Sequence, residues 1–354
     1  MPDTSNPLLI YGATGYSGRL ITVAALARGL RPLLAGRDAA RLATTAEAAC
    51  LEHRVATLDD ARGLDVLLRD VRAVIHTAGP FSSTSRPMVD ACLRTGVHYL
   101  DITGEIPVIE ALASRDAEAR QRGIMIMPGV GFDVVPSDCL AAHLVRRIPS
   151  ATRLAIGISG LAADVTRGSA KTLAETADYG VVRREGTITR VPLGSLERNF
   201  DYGEGPRASL NVSWGDVAAA YYSTGIPNIE VYAQDSALLR AVLMTCRYFG
   251  WLLRTAPWQV WLKAQADVLA PGPSDEVRAT RRTIIVAEVE DHRGRRATSR
   301  LHGPEAYTFT SATASAIAER VLAGDVEVGF QTPSRIYGSD FPLQFPGVSR
   351  EDLE

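Results

Sequence analysis

Three glycines at positions 12, 15 and 18 form the pattern whose spacing most clearly predicts a chemical role. The apolar segment Leu8–Tyr11 precedes them, and apolar residues at helical spacing follow from Leu20. Such glycines permit a tight turn, close approach to a pyrophosphate and close helix packing. The pattern therefore predicts a dinucleotide-binding loop; the alternative is a glycine turn that serves packing alone. The predicted phosphate-binding residues are Gly12, Ala13, Thr14, Gly15, Tyr16, Ser17 and Gly18.

The end of the second predicted strand indicates which dinucleotide binds. Sites that prefer NAD commonly have a carboxylate there, whereas this strand ends at Gly36-Arg37. A guanidinium can stack on adenine and bind a 2′-phosphate through paired donors, and Arg41 lies one turn later. We therefore predict NADP(H), with Asp38 as a helix cap. Asp59 after the third strand either borders the adenine or caps the next helix.

A second group of residues has the chemistry needed for proton transfer, which must accompany the reduction of a double bond. Lys171, near the start of a predicted helix, is either a proton donor whose pKa is lowered by that position or a solvated surface charge. Asp101, with Glu105 four residues later, orients a substrate or the nicotinamide ribose, or else belongs to a helix cap near Pro107. Asp133 is a third candidate catalytic residue, although its turn is also consistent with a structural role.

Composition excludes several other classes of protein. The net charge of −2 argues against nonspecific binding to nucleic acid. Four widely spaced cysteines without histidines at ligand spacing predict reduced thiols and no metal site. Because the first strand begins at Leu8, we expect no signal peptide and a cytoplasmic location.

The first 150 residues alternate between short apolar segments and helical patterns, which predicts a Rossmann-type, doubly wound parallel sheet. The predicted strands are Leu8–Tyr11, Pro32–Ala35, Arg54–Ala56, Ala73–Thr77, Val97–Leu100 and Ile124–Met127, and the helices are Ala39–Ala49, Leu64–Leu68, Pro87–Arg94 and Val108–Arg122.

Residues 151–325 have a different pattern, typical of an α+β domain with a largely antiparallel sheet. The predicted strands are Leu154–Ser159, a hairpin over Val181–Val191, Asn228–Ala233, and a hairpin formed by Thr283–Asp291 and Arg295–His302; the helices are Ala170–Tyr179, Leu238–Arg254 and Ser311–Ala323. Residues 326–354 are expected to be a tail that packs back on the body.

The segment Leu238–Leu253 combines large apolar residues with arginines at 240, 247 and 254. This spacing places the arginines in one stripe of a helix, and they are too frequent for a bilayer-spanning segment. One interpretation is an amphipathic helix that covers the core of the second domain. The other is an apolar surface for a lipid, substrate or partner, with peripheral membrane contact through residues 238–262.

Three further motifs occur where the reacting end of the cofactor is expected: Thr77–Phe81, Tyr99–Glu105 and Pro128–Asp138. Together with the glycine loop, this set resembles the saccharopine dehydrogenase-like oxidoreductases, which include the bacterial trans-acting enoyl reductases. Most of the matching motifs lie within residues 8–140, and two weaker matches follow at Ser169–Thr172 and Gly329–Pro333.

The resemblance implies a Rossmann domain that holds NADP(H) and an α+β domain that covers the nicotinamide. It also implies that one loop passes beside the nicotinamide and its ribose. The residues of that loop are Ala78, Gly79, Pro80 and Phe81. Two departures are Thr57 in place of an acidic residue, and Lys171 where the family has glycine.

The resulting expectation is an NADPH-dependent oxidoreductase that reduces a C=C or C=N bond. The substrate would be a hydrophobic or metabolite-sized small molecule, such as one of lipid or polyketide type, and the assembly a homodimer. The alternative is a non-catalytic NADP(H)-binding redox sensor, which would bind the cofactor without turnover.

Overall fold

The computed structural model describes residues 7–161, 179–253, 255, 258 and 272–353. Contacts divide the chain into two compact units. The first unit is Met1–Val135 with Tyr307–Ile336, and the second unit is Pro136–Ala306 with Tyr337–Glu354.

The secondary structure is numbered along the whole described chain. The strands are β1 (Leu8–Tyr11), β2 (Leu33–Gly36), β3 (His53–Val55), β4 (Ala73–His76), β5 (His98–Asp101), β6 (Met125–Met127), β7 (Ala151–Ser159), β8 (Gly180–Arg184), β9 (Thr187–Val191), β10 (Glu197–Asp201), β11 (Pro206–Asn211), β12 (Asn228–Gln234), β13 (Arg282–Asp291), β14 (Arg296–Pro304), β15 (Gly329–Phe330) and β16 (Ser349–Leu353). The helices are α1 (Tyr16–Ala27), α2 (Ala39–Ala49), α3 (Ala61–Leu67), α4 (Phe81–Thr95), α5 (Ile106–Ala113), α6 (Asp116–Arg122), α7 (Val135–Arg147), α8 (Asp216–Thr224), α9 (Ala237–Leu253), α10 (Asp275–Thr280), α11 (Ala306–Leu322) and α12 (Pro333–Tyr337), with a 3-10 turn at Phe341–Gln344.

The first unit is built on a parallel sheet in the order β3-β2-β1-β4-β5-β6-β15. β1, β2 and β4 are buried along their whole length, as expected when helices cover both faces of a parallel sheet. The strand order changes direction between β1 and β4, which is the point where such sheets bind ligands at the carboxyl ends of their strands. The predicted doubly wound sheet is confirmed.

Helix α11 belongs to the first unit, which differs from the predicted boundary near residue 325. The Thr313 hydroxyl donates to the Val130 carbonyl at 2.8 Å, and the Thr310 hydroxyl accepts the Phe132 N–H at 2.9 Å. α11 is buried on most of its surface, and its contacts group it with the first unit. The predicted tail also divides: β15 pairs with β6 in the first unit and β16 pairs with β14 in the second.

The second unit has a nine-stranded sheet whose main path is β10-β11-β12-β7-β13-β14-β16, with the β8–β9 hairpin paired to β12. β7 and β12 are parallel, and the other pairs are antiparallel, which confirms the predicted α+β class. Both predicted hairpins are present. The sequence analysis missed β10 and β11, because a polar strand such as Glu197–Asp201 with a single fully buried side chain, Phe200, shows little apolar alternation.

No helix in the described part of the chain combines the length and hydropathy needed to cross a bilayer. The predicted helix at 170–179 lies almost entirely outside the described residues.

Candidate functional site

The glycine loop between β1 and α1 is shaped by contacts that exclude side chains. Gly12 has φ +87°, and its N–H donates to the Ala35 carbonyl at 2.8 Å. A Cβ added to Gly18 would lie 2.4 Å from the Gly12 carbonyl oxygen, so a larger residue there would push α1 away from the turn. The loop therefore brings the start of α1 directly against β1, which is the geometry that the motif predicts.

The amino end of α1 begins at Gly15, a residue that has no side chain to cap the first turn of the helix. Its N-cap residue, Gly15, is exposed and has extended backbone angles. The first turn of a helix directs N–H groups outward, and the helix dipole adds positive potential. These residues fit a bound pyrophosphate.

Arg37 lies exposed directly after β2, at the edge where an adenosine would extend from the glycine loop. Its guanidinium makes no ion pair with the described residues. Burial raises the pKa of the nearby Tyr11 phenol, and the positive charge of Arg37 partly opposes that rise. The phenol donates to the Ala56 carbonyl at 3.0 Å, so it links β1 to the end of β3.

The acidic residues at this edge have mainly local roles. Asp38 accepts the Arg41 N–H at 3.0 Å and caps α2, as predicted. Asp60, rather than Asp59, caps α3 through the Gly63 N–H at 2.9 Å. Asp59 remains exposed, and a hydrogen bond from Thr57 lowers its pKa. The capping alternative for Asp59 is therefore wrong, and contact with adenosine stays a prediction.

The loop after β4 is held by one hydroxyl that the sequence analysis missed. Thr84 Oγ1 lies 2.6 Å from the Ala78 carbonyl and 3.0 Å from the Pro80 carbonyl. His76 Nε2 lies 3.1 Å from the same oxygen. Burial lowers the pKa of His76 to about 3, so the ring is neutral. Since the single hydroxyl proton is donated to a carbonyl, His76 Nε2 carries a proton and donates to Thr84.

His76 is fully buried in the core, and its Nδ1 atom has no hydrogen-bond partner among the described residues. Thr84 lies in the run Ser82–Ser85, where several hydroxyls at a helix start look equivalent in sequence. Only the fold distinguishes the hydroxyl that holds the loop.

Glu105 caps α4 from a different element. Its two carboxylate oxygens accept the N–H groups of Phe81 and Ser82, each at 2.8 Å. The sequence analysis considered capping only for the helix after Pro107, and Glu105 makes no side-chain cap there. The carboxylate therefore joins the loop after β5 to the loop after β4.

Asp101 is fully buried at the end of β5 and accepts three hydrogen bonds. The donors are the Tyr99 hydroxyl at 2.8 Å, the Thr103 N–H at 2.9 Å and the Gly129 N–H at 3.0 Å. Burial raises the pKa of Asp101 to about 6, and the hydrogen bonds oppose that rise. These contacts position the loops after β5 and β6, so the geometry favours a positioning role; a catalytic role stays a prediction.

Of the acidic residues predicted to take part in catalysis, Asp133 has the side chain with the fewest hydrogen bonds. It is half-buried, lies against Gly104, and has no hydrogen-bond partner among the described residues. Desolvation raises its pKa to about 6. A carboxyl group of this kind exchanges a proton near neutral pH.

The remaining candidates are accounted for separately. Lys171 and the segment 169–172 lie outside the described residues. Ser137, which the Pro128–Asp138 motif includes, donates to both oxygens of buried Asp216 at 2.8 Å within the second unit. Within the described residues, no group of three or more His, Cys, Asp or Glu could hold a metal ion.

Comparison with known proteins agrees with this geometry. Residues 8–127 match the family described as "Saccharopine dehydrogenase NADP binding domain". Over that segment the chain is similar to the nucleotide-binding domain of saccharopine dehydrogenases. The resemblance is confirmed for this part of the chain, and a nicotinamide dinucleotide as ligand agrees with the family description.

Curated relatives match over a similar region. A trans-acting enoyl reductase of Mycobacterium leprae is 33% identical over 149 residues, which cover 40% of this chain and 36% of that protein. The human saccharopine dehydrogenase-like oxidoreductase is 26% identical over 151 residues, 37% of this chain and 35% of that protein. The chain thus spans about a third of the length of the curated relatives it matches.

Solved structures extend the likeness in fold to almost the whole chain. Apo saccharopine dehydrogenase (L-Glu forming) from Saccharomyces cerevisiae aligns with a TM-score of 0.67 at 14% identity, covering 98% of this chain and 99% of that one. The homospermidine synthase of Legionella pneumophila, solved with NAD, aligns with a TM-score of 0.67 at 10% identity, over 98% and 91% of the two chains. At these identities the likeness concerns the fold.

We predict that Thr84→Val weakens cofactor binding by about tenfold, because the isosteric change removes the hydroxyl that holds Ala78 and Pro80 and leaves a half-buried carbonyl without its donor. Titration calorimetry with NADPH measures the effect, and Thr84→Ser should restore binding. Thr95→Val is the matched control, since Thr95 is on the same helix and donates only to Ala91 one turn before it. Equal affinities for all these variants would contradict the role of Thr84.

Proposed function

We propose that this chain is an NADP(H)-dependent oxidoreductase that reduces a C=C or C=N bond of a metabolite or of a lipid- or polyketide-type substrate. The observation that carries the proposal is the glycine loop at the β1–β4 switch point, in a domain of the NADP-binding family. When bound there, the nicotinamide supplies the hydride. The name enoyl reductase, which several relatives carry, supports C=C reduction.

The preference for NADP over NAD rests on Arg37. Its guanidinium is exposed, has no ion pair among the described residues, and follows the strand whose end borders the adenosine ribose. The nearest carboxylate in sequence, Asp38, is engaged as the cap of α2. Paired N–H donors suit a 2′-phosphate, which only NADP has.

We expect Arg37→Ala to raise the Kd for NADPH by about tenfold or more and to change the Kd for NADH much less, because one charge-assisted contact is worth roughly 1.5–3 kcal/mol. Arg31→Ala is the matched control: Arg31 precedes β2 at the opposite edge of the sheet and donates to the Cys50 carbonyl. Equal losses for both cofactors would disprove the 2′-phosphate assignment.

Asp133 is the proposed proton donor. It lies on the loop after β6, its pKa is about 6, and no described group occupies its carboxyl oxygens. Asp101 acts through the two loops that it joins, which include Gly129. Lys171 stays a predicted candidate for the same step.

The sign of the pH dependence follows from this assignment. The acid form of Asp133 predominates below pH about 6, so kcat for reduction should be level there and fall as the pH rises further. Asp133→Asn should lower kcat by roughly 10²–10⁴-fold and remove that limb of the profile. Asp65→Asn, which alters a surface ion pair with Arg94, is the control. An unchanged profile in Asp133→Asn would exclude Asp133 as the donor.

A redox sensor is the alternative function, and turnover separates the two. Consumption of NADPH against a panel of enoyl thioesters and imines would support the reductase. Tight cofactor binding without turnover on any of them would favour the sensor. A homodimeric assembly and a cytoplasmic location also remain predictions.

A further inference from the structure

One face of helix α9 packs against apolar residues of the second unit. Leu243 and Cys246 are buried in a cluster with Leu193 and Leu210, and the partly buried Leu239 and Val242 pack against the same cluster. This spacing of three and four residues is that of one helical face. The inner face confirms the interpretation of α9 as an amphipathic helix that covers the core of the second unit.

The outer surface of α9 also carries large apolar side chains. Near the carboxyl end of the helix, Trp251 is 71% exposed, Tyr248 64% and Phe249 54%. At the amino end, Leu238 is 51% exposed. We call Tyr248, Phe249 and Trp251 the aromatic patch. A single exposed apolar residue is ordinary, but three adjacent large aromatic residues at one helix end indicate a surface that is covered by something else.

The charged residues close to the aromatic patch in sequence have one sign. Residues 236–266 contain Arg240, Arg247, Arg254 and Lys263 but no Asp or Glu, in a chain whose net charge is −2. Arg240 is neutralised by Asp235 and Glu197. Arg247 is exposed, makes no ion pair with the described residues, and lies 5.9 Å from the centroid of the Tyr248 ring.

The same stretch concentrates tryptophan. Three of the four tryptophans of the chain are Trp251, Trp258 and Trp261. Tryptophan and tyrosine favour the boundary between lipid headgroups and acyl chains, and arginine beside them binds anionic headgroups.

We propose that the aromatic patch and Arg247 dock this protein on the surface of an anionic lipid bilayer. A second copy of the chain fits the patch less well, because a two-fold interface through the patch would bring Arg247, which makes no ion pair with the described residues, close to its own copy. The proposal does not depend on the oxidoreductase function, since it concerns a surface of the second unit only.

Flotation of the full chain with vesicles tests the proposal. We expect binding to phosphatidylcholine vesicles that contain about one-third phosphatidylglycerol, and much weaker binding to phosphatidylcholine alone or in high salt. Arg247→Glu should lower the partition coefficient by about tenfold or more, since each basic residue near the surface contributes about 1 kcal/mol. Arg247→Lys should retain most of the binding.

The aromatic contribution is measured with Phe249→Ala and Trp251→Ala, each expected to lower partitioning, whereas Trp251→Phe should preserve most of it. The matched control is Val23→Ala, since Val23 is another exposed apolar residue on a helix. Circular dichroism and NADPH binding, unchanged in every variant, show that folding and the cofactor site are intact.

Two results would overturn the proposal. One is the absence of binding to anionic vesicles by the wild-type chain. The other is a change of oligomeric state in the aromatic variants, measured by light scattering, with vesicle binding unaltered; the patch would then be an interface between copies. If the wild-type chain binds vesicles but shows no NADPH turnover, that result counts against the proposed function alone.

Discussion

The carboxylate of Asp101 is the contact on which the geometry of the candidate site depends most. It is buried at the end of β5 and joins the Tyr99 hydroxyl to backbone N–H groups of two loops. A buried acceptor that loses its donors, or donors that lose their acceptor, costs about 1–3 kcal/mol for each group. The three hydrogen bonds therefore constrain the loops after β5 and β6 to one arrangement.

Other side chains extend this arrangement across the carboxyl edge of the parallel sheet. Glu105 binds the first N–H groups of α4, and Thr84 holds the carbonyls of Ala78 and Pro80 just before that helix. Helix α11 closes the other side through its bonds to Val130 and Phe132. Three loops and two helices thus support one another where the reacting end of a dinucleotide is expected. Asp133 is a carboxyl group on this scaffold that has no hydrogen-bond partner among the described residues.

The aromatic patch on α9 is not explained by packing within its own unit. One face of the helix is explained by the core of its unit, and the other has exposed aromatic residues among cations without nearby acidic residues in sequence. Packing alone would select polar residues for that outer surface. The proposed docking on a lipid surface would account for the residues that packing does not explain.

Local sequence patterns were enough to predict the glycine loop, the first six strands of the parallel sheet and the Asp38 cap, because each depends on residues close together in the chain. They did not predict β15, which joins this sheet from residues 329–330. They were also enough to suggest Arg37 as the cation after β2. Contacts between distant residues were decided only by the tertiary structure. Glu105 caps α4 from 24 positions away, and α11 joins the first unit across about 180 residues. The fold decides which hydroxyl of Ser82–Ser85 holds a carbonyl, and it decides which carboxylate is buried and hydrogen-bonded. Each outcome depends on the groups that the fold places beside the side chain, and those groups are not adjacent in sequence.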